Sequence, residues 1–158
     1  MKDLFLVKHA PGAPGLRFLG LGPKFIPRQG MLKLQVLLDD NTSWAKKRNQ
    51  KDIKKMLSHS KVIISVWNKD KLIGFGRATS DEIYRAVLWD IVVEKKHQQQ
   101  GIGKIIVTEL LSNRLITKAE KIYVMTTKFK KFYANLGFEL EGTQKLMFVT
   151  GEGKEIEL

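Results

Sequence analysis

The run YRAVLWDIVVE, residues 84–94, is the strongest constraint on the fold. It is almost continuously apolar, which is typical of a central strand that is buried on both faces. A basic, glutamine-rich loop with two glycines follows, and then residues 103–115 place apolar side chains at helical spacing. The apolar face of this predicted helix consists of Ile106, Val107, Leu110 and Leu111. A buried strand leading through a loop into a helix predicts a layered α/β domain.

The rest of the chain agrees with this fold class. Residues 31–40 and 49–60 have helical spacing, and the apolar runs KVIISVWN and KLIGFGRATS around NKDK predict a β-hairpin. Further on, KIYVMTT predicts a strand, KFKKFYANLG predicts a short helix ended by Gly137, and FELEG and QKLMFVT predict closing strands. We expect one domain over residues 1–158, with a single central mixed sheet and helices on both of its faces.

The two ends of the chain differ from this core. All four prolines lie in the first 27 residues, which excludes a long helix there. Residues 1–30 are therefore predicted to form an extended arm with turns and a possible short strand at residues 16–19. The acidic-ended tail, residues 151–158, is predicted to be frayed.

Composition excludes several classes of function. The chain has no cysteine, and its three histidines are far apart in sequence, so no metal site is expected. No apolar run is long enough to span a membrane, and the N-terminus lacks a signal-peptide core, which predicts a soluble cytoplasmic protein. The net charge of +12 favours anionic partners, although dispersed lysines on a solvated surface account for most of it.

The loop QQQGIGK, residues 98–104, fails both well-known nucleotide-binding patterns. It lacks the lysine–hydroxyl pair of a Walker A loop and the third glycine of the dinucleotide fingerprint. An anion could still bind the free amides at the helix start, because the glycines expose the backbone and the helix dipole adds positive charge. The alternative is a plain loop with glycines for tight packing. The loop residues alone leave both interpretations open.

Two motifs in order resemble the GNAT family of N-acetyltransferases. Residues 98–103 match Q/R-x-x-G-x-G/A between WDIVVE and a helix, and about thirty residues later FYANLGF carries a tyrosine on a short helix. The resemblance runs from about Val62 to Val149 and implies the GNAT fold, with a single central mixed, mostly antiparallel sheet and helices on both faces. RQGMLKLQVLLDDNTSWAKKR, LIGFGRATSD and RAVLWDIVVEKKHQQQGIG further resemble the chloroplast and cyanobacterial branch, which includes plant serotonin N-acetyltransferases and nuclear-shuttle-interacting proteins.

The resemblance implies roles for particular residues. The amides of residues 98–104 would bind the pyrophosphate of coenzyme A, and residues 91–93 would pair with its pantetheine arm. An amide near Ile91 or Val92 would polarise the thioester carbonyl, and Tyr133 would protonate the departing thiolate. The implied cofactor-binding set is Ile91, Val92, Val93, Gln98, Gln99, Gln100, Gly101, Ile102, Gly103, Lys104, Thr126, Thr127 and Tyr133.

The general base is where the sequence departs from the family. Strand alternation from Ile91 places Val87 and Trp89 on the cleft face, and neither accepts a proton. Asp90 is a weak base candidate, because alternation points it to the other face unless a bulge re-aims it. The alternative for Asp90 is a buried carboxylate satisfied by backbone donors. A water relay to bulk solvent is therefore the default base.

The expected activity is acetyl-CoA-dependent transfer of acetyl to a primary amine. The acceptor would be an arylalkylamine such as serotonin, or a lysine or N-terminal amine of a protein. The alternatives are a non-catalytic acyl-CoA-binding regulator and a basic nucleic-acid-binding module, and the dispersed lysines disfavour the latter. Neither a metal nor a membrane partner is expected, and a homodimer is possible by analogy alone.

Overall fold

The computed structural model describes residues 4–9, 11 and 29–151. The chain forms two compact units, Met1–Met125 and Thr126–Leu158. The first unit contains strands β1 (Leu4–His9), β2 (Val62–Asn68), β3 (Lys71–Ser80), β4 (Arg85–Val93) and β5 (Lys121–Val124). Its helices are α1 (Gly30–Asn41), α2 (Gln50–Ser58), α3 (Ile102–Leu111) and α4 (Arg114–Thr117), with a short 3₁₀ turn at Lys95–His97. The second unit contains α5 (Lys130–Ala134).

The five strands form one sheet in the order β1-β2-β3-β4-β5. Neighbours are antiparallel from β1 to β4, and β5 joins β4 in parallel. A parallel neighbour needs a long crossover, which α3 and α4 supply between β4 and β5. This architecture confirms the predicted mixed, mostly antiparallel sheet.

Each face of the sheet is covered by different helices. On one face, Trp67, Phe75 and Val92 pack in the same core as Leu34 of α1 and Leu57 of α2. The other face carries α3, whose buried side chains are Ile102, Ile106, Val107 and Leu110. Burial of such apolar side chains is the main source of stability in a domain of this size.

A close approach between α3 and the sheet depends on glycine. A Cβ on Gly76 of β3 would lie 2.5 Å from Cγ2 of Ile106 and 2.8 Å from Cδ1 of Ile91. A Cβ on Gly74, two residues earlier, would lie 3.0 to 3.3 Å from its three nearest side-chain atoms. The two glycines therefore form a flat stretch of β3 on which the start of α3 rests.

Strand β1 corrects the prediction of an extended arm over residues 1–30. Residues 4–9 pair along β2 from Leu4↔Asn68 to His9↔Ile63. The prolines that excluded a long helix begin only at Pro11, so they do not prevent strand pairing of the residues before it. The possible strand at residues 16–19 lies outside the described residues.

Other boundaries also differ from those predicted. Helix α3 ends at Leu111 rather than at residue 115, because the Asn113 side chain accepts a hydrogen bond from the Leu115 amide (3.0 Å) and begins α4. Strand β5 ends at Val124, and α5 is shorter than predicted. Gly137 follows α5 with φ of 90°, as expected for a residue that ends a helix. Strand β4 is central, but Val87, Trp89 and Ile91 are only half-buried.

The closing strands predicted at residues 138–142 and 144–150 are wrong. These described residues form no ladder, and their apolar side chains Leu146, Met147, Phe148 and Val149 are exposed. Apolar, β-prone composition allows a strand but does not supply a pairing partner, and the partner decides whether it forms. Residues 152–158 of the predicted frayed tail lie outside the described residues.

The glycine contact yields a prediction for stability. Replacing Gly76 by alanine should lower the free energy of unfolding by about 1–3 kcal/mol, because the added methyl overlaps Ile106 and Ile91. Urea denaturation measures the loss. Gly142→Ala is the control, since its added Cβ meets no atom within 4 Å. Equal stability of the two variants would contradict the close packing of α3 on β3.

Candidate active site

Strand β4 contains a β-bulge at Asp90. On β3, Phe75 pairs with Val92 and Arg77 pairs with Trp89, so one residue of β3 lies opposite two residues of β4. Asp90 has φ of 52°, in the left-handed region that few residues other than glycine, asparagine and aspartate adopt. The bulge is therefore a defined irregularity in the middle of a central strand.

The bulge changes which side chains share a face. Trp89 pairs with Arg77 and lies on the face of Phe75, whereas Ile91 contacts the opposite face at Gly76. The predicted common face for Val87, Trp89 and Ile91 is therefore wrong, because strict alternation does not survive an inserted residue.

Asp90 is buried in an ion-pair cluster with two arginines. Nε of Arg77 donates to one carboxylate oxygen at 2.6 Å, and Nη1 of Arg48 donates to the other at 3.1 Å. The carboxylate is only 4% exposed. The bulge does re-aim Asp90, as contemplated from sequence, but the partners are guanidinium groups rather than backbone donors. Both oxygens accept from cations, so protonation of this carboxylate would weaken two ion pairs.

Beyond the bulge, the edge of β4 on the β5 side is open among the residues that the structure describes. Its parallel ladder with β5 runs from Arg85↔Lys121 to Leu88↔Val124 and continues no further. The amide of Glu94 donates to Ile73 of β3 at 2.8 Å, so the main-chain groups of Val93, one residue earlier, point away from β3. The same alternation directs Ile91 to that side. Ile91 and the amide of Val93 thus offer main-chain groups at the point where β5 has ended, while the Val93 carbonyl accepts from Gln98.

The loop after β4 ends in a row of free amides. Gly101 precedes α3 with φ of 83°, and no side chain caps the helix start. Among the described residues, the amides of Gly101, Ile102, Gly103 and Lys104 meet no hydrogen-bond acceptor. These donors, with the positive end of the helix dipole, form a main-chain site for an anion.

Side chains hold the loop in shape. Nε2 of Gln98 donates to the carbonyl of Val93 at 3.0 Å, and Nε2 of Gln100 donates to the carbonyl of Lys96 at 3.1 Å. The amide of Lys95 donates to Oδ1 of Asn41, at the end of α1, at 3.0 Å. The side chains of Gln98 and Gln100, whose backbone amides were predicted to bind the cofactor, therefore have a structural role in this loop.

Glu94 joins the loop to the β2–β3 hairpin. It accepts hydrogen bonds from Lys71 and from Nδ1 of His97. Partial burial alone would raise the pKa of Glu94, but the hydrogen bonds from Lys71 and His97 outweigh it and hold that pKa below its ordinary value. Glu94 therefore stays ionised, which keeps its ion pair with Lys71 intact.

Trp89 lies beside the Asp90 cluster. Its Nε1 donates to Oγ1 of Thr79 at 2.8 Å, and the Arg77 guanidinium lies 5.7 Å from the centre of its ring. The side chain is half-buried, so it is neither a fully buried core tryptophan nor a free surface residue. Sequence reasoning missed Arg48 and Arg77, because arginines distant in sequence carry no local signal of an ion pair.

The remaining predicted site residues lie in the second unit. Tyr133 of α5 is buried and packs edge-on against Phe132 and Phe138. Thr126 and Thr127 are exposed, and the Thr126 hydroxyl accepts from the Phe129 amide at 3.1 Å. Burial raises the pKa of Tyr133 to about 12, so its phenol stays protonated at neutral pH.

A family model described as an acetyltransferase (GNAT) domain matches residues 59–140. The chain belongs to the GNAT acetyltransferase family. Among solved structures, a GNAT-family acetyltransferase of Streptococcus pneumoniae shares this fold with a TM-score of 0.68 and 20% identity, over 94% of this chain and 99% of that one. The predicted family and fold are thereby confirmed.

Curated relatives of this GNAT chain include plastid proteins. Uncharacterized N-acetyltransferase ycf52 of Porphyra purpurea is 35% identical over 64% of this chain and 60% of its own length. Histone acetyltransferase TAP1 of Glycine max is 38% identical over 45% of this chain and 31% of its own length. Serotonin N-acetyltransferase 2, chloroplastic, of Oryza sativa is 28% identical over 60% of this chain and 50% of its own length. The matches thus span at most about three fifths of these relatives.

Two kinds of feature, a metal-ligating cluster and a membrane-spanning helix, are absent from the part of the chain that the structure describes. Residues 4–9, 11 and 29–151 contain no group of three or more potential metal-ligating side chains. Within the same ranges, no helix has both the length and the apolar character that crossing a bilayer requires.

The conformation of Gly101 gives a test of the amide row. Gly101→Ala should lower the free energy of unfolding by about 1 kcal/mol and weaken coenzyme A binding, because an L-residue with a Cβ is strained at this φ. Its Cβ would meet no atom within 4 Å, so the effect comes from the backbone alone. Gly101→Asn should lose less, since asparagine tolerates the left-handed region. Urea denaturation measures the free energy of unfolding of the two variants, and calorimetry measures their binding of coenzyme A. Equal losses in the two variants would contradict backbone strain as the cause.

Burial of Tyr133 gives a prediction for high pH. The folded pKa of about 12 exceeds the ordinary value of 10.0, so the stabilisation is complete below pH 10 and is lost as pH rises towards 12. An ultraviolet absorbance titration should show one late tyrosine ionisation that Tyr133→Phe removes. Loss of an ionisation near pH 10 instead would show that Tyr133 is not shielded from water.

Proposed function

We propose that this acetyltransferase transfers acetyl from acetyl-CoA to a primary amine. The observation that carries the proposal is the continuity of two main-chain features. The edge of β4 at residues 91–93, where β5 has ended and Gln98 occupies the Val93 carbonyl, leads through one short loop into the free amides of residues 101–104. An edge that can pair with an amide-containing chain, followed by a row of donors for a pyrophosphate, suits a pantetheine nucleotide.

The residues present fit coenzyme A. The amides of Gly101, Ile102, Gly103 and Lys104 would hold its pyrophosphate, and Gln98, Gln99 and Gln100 would shape the loop around it. Lysines 95, 96 and 104 add positive charge at this end of the sheet. Ile91, Val92 and Val93 would pair with the pantetheine arm. Thr126 and Thr127 are proposed as polar contacts for the same arm or for a water molecule.

Bound acetyl-CoA supplies an acetyl group activated as a thioester. The amide of Ile91, which points away from β3, is proposed to donate to the carbonyl oxygen of that group. The hydroxyl of Tyr133 is proposed to donate its proton to the departing sulfur. Burial keeps the phenol of Tyr133 protonated at neutral pH, so the hydroxyl carries a proton that it can donate.

The proton of the amine needs another route. Asp90 was the carboxylate candidate from sequence, but its two oxygens are engaged by Arg48 and Arg77. Accepting a proton there would weaken both ion pairs in a buried site. We therefore assign proton removal to a water relay to bulk solvent rather than to Asp90.

The acceptor is proposed as a protein amine with acidic neighbours. The net charge of +12 attracts an acidic surface and repels a cationic small amine at short range. The name of one relative, a histone acetyltransferase, supports a protein amine without indicating acidic neighbours, and the name of another, a serotonin N-acetyltransferase, supports a small amine. Serotonin is therefore the second candidate. A cytoplasmic location and a homodimer remain predictions, and several relatives are named as chloroplastic.

Removing the Tyr133 hydroxyl tests the mechanism. Tyr133→Phe should lower kcat about a hundredfold or more with little change in the KM of the amine, because the acid acts only as the thiolate leaves. Release of free thiol from acetyl-CoA measures turnover with serotonin and with lysine peptides of acidic and basic flanks. Phe132→Leu is the matched control on the neighbouring ring. Unchanged turnover in Tyr133→Phe would show that another group supplies the proton.

The same panel separates the alternative functions. An acyl-CoA-binding regulator would show thermal stabilisation by acetyl-CoA but no thiol release with any amine. A nucleic-acid-binding module would show RNA binding with a steep salt dependence and no stabilisation by acetyl-CoA. Either result would overturn the proposed function.

A further inference from the structure

The Arg48–Asp90–Arg77 cluster lies at the one place where β4 changes register. Asp90 is itself the bulge residue, with φ of 52° and a nearly inaccessible carboxylate. Its partners come from two other elements: Arg77 from β3 and Arg48 from the segment between α1 and α2. A buried carboxylate held by two cations from separate segments fixes its backbone far more firmly than a solvated one.

Further contacts fix the two arginines. The main-chain carbonyl of Arg48 accepts from Nε2 of Gln35 on α1 at 2.9 Å. Nη1 of Arg77 lies 3.4 Å from the Ser60 hydroxyl, and its guanidinium lies against the Trp89 ring. The cluster therefore connects α1, the segment before β2, and β3 to a single residue of β4.

The bulge decides where the main chain of residues 91–93 points. Val92 pairs with Phe75 and the Glu94 amide donates to Ile73, so residues 92 and 94 face β3 while 91 and 93 face away. Trp89 pairs with Arg77 on the other side of the bulge. Without the extra residue, 91 and 93 would share the orientation of Trp89 and face β3. The open edge of β4 would then present the main-chain groups of Val92 and Glu94 instead of those of Ile91 and Val93.

We propose that the Arg48–Asp90–Arg77 cluster is a positioning device that holds the β4 bulge and thereby directs the Ile91 amide into the open edge of the strand. Asp90 acts through the backbone and touches no reacting atom. This inference rests on the proposed function for its catalytic consequence, but its structural part stands apart from any activity.

Substitutions at Asp90 separate the ion pairs from the backbone preference. Asparagine tolerates the left-handed region and glycine favours it, yet neither carries the negative charge. If conformational preference alone held the bulge, Asp90→Asn and Asp90→Gly would both keep it. If the cluster holds it, both lose it.

A matched control exists in the loop between β3 and β4. Glu82 also has positive φ, 65°, and its carboxylate also pairs with a cation, Lys61, at 2.8 Å. It lies away from the bulge and from the open edge. Glu82→Gln therefore removes the same kind of charge from the same kind of backbone without touching the proposed device.

The test has one arm that needs no acceptor. In ¹⁵N–¹H spectra of the ligand-free protein, Asp90→Asn and Asp90→Gly should shift the amides of Ile91 and Val93 and speed their hydrogen exchange, whereas Glu82→Gln should not. Unchanged Ile91 and Val93 signals in both Asp90 variants would overturn the proposal. If an Asp90 variant fails to fold, Arg48→Gln carries the same test, since Arg48 is partly exposed and contributes one of the two ion pairs.

The second arm measures turnover. With the best amine of the panel, kcat should fall about ten- to a hundredfold in Asp90→Asn, with the KM of the amine little changed, because a misdirected amide affects the reacting carbonyl. Adding Arg48→Gln should cause little further loss, since both act through one bulge. Additive losses, or a changed amine KM with constant kcat, would contradict a positioning role. A wild-type protein inactive on every amine would refute the proposed function and leave the spectroscopic arm to decide this proposal.

Discussion

The structure depends on one extra residue in β4. The ladder between β3 and β4 is continuous on each side of Asp90 but out of step by one position across it. Before that point, β4 has a strand on both sides. After it, β5 has ended and the main chain of Ile91 and Val93 turns outward. An inserted residue thus gives a central strand an edge whose main-chain groups can form hydrogen bonds with a ligand, and the sheet remains continuous.

The charge around this insertion is arranged differently from the charge on the surface. Most lysines are exposed and contribute to the net charge of +12, which salt screens beyond about 10 Å. The two arginines at Asp90 are partly or largely withdrawn from water, where screening is weak and geometry decides the energy. The surface charge therefore affects which partners approach, whereas the cluster affects the shape of the strand that meets them.

The sequence predicted the fold and the glycine-containing loop before α3 because both depend on local patterns. The apolar run in β4, the glycines before α3 and the spacing to FYANLGF are readable residue by residue. The features that the sequence did not predict correctly depend on partners distant in the chain. The strand at Leu4–His9 needed the edge of β2, residues 138–150 lacked a partner, and the bulge at Asp90 follows from Arg48 and Arg77. Alternation along one strand cannot reveal an inserted residue that two other segments hold in place.

The free amides of Gly101, Ile102, Gly103 and Lys104 have a consequence for how such a sequence can vary. Peptide N–H groups are supplied by every residue except proline, and they do not titrate in the range where proteins are folded. Only the left-handed turn at Gly101 restricts the residue type strongly. Apart from Ile102, which is buried against the sheet, the side chains of this helix start can consequently vary while the amide donors for an anion remain. Divergent members of such a family can therefore share a main-chain anion site even where few of its residues are identical in an alignment.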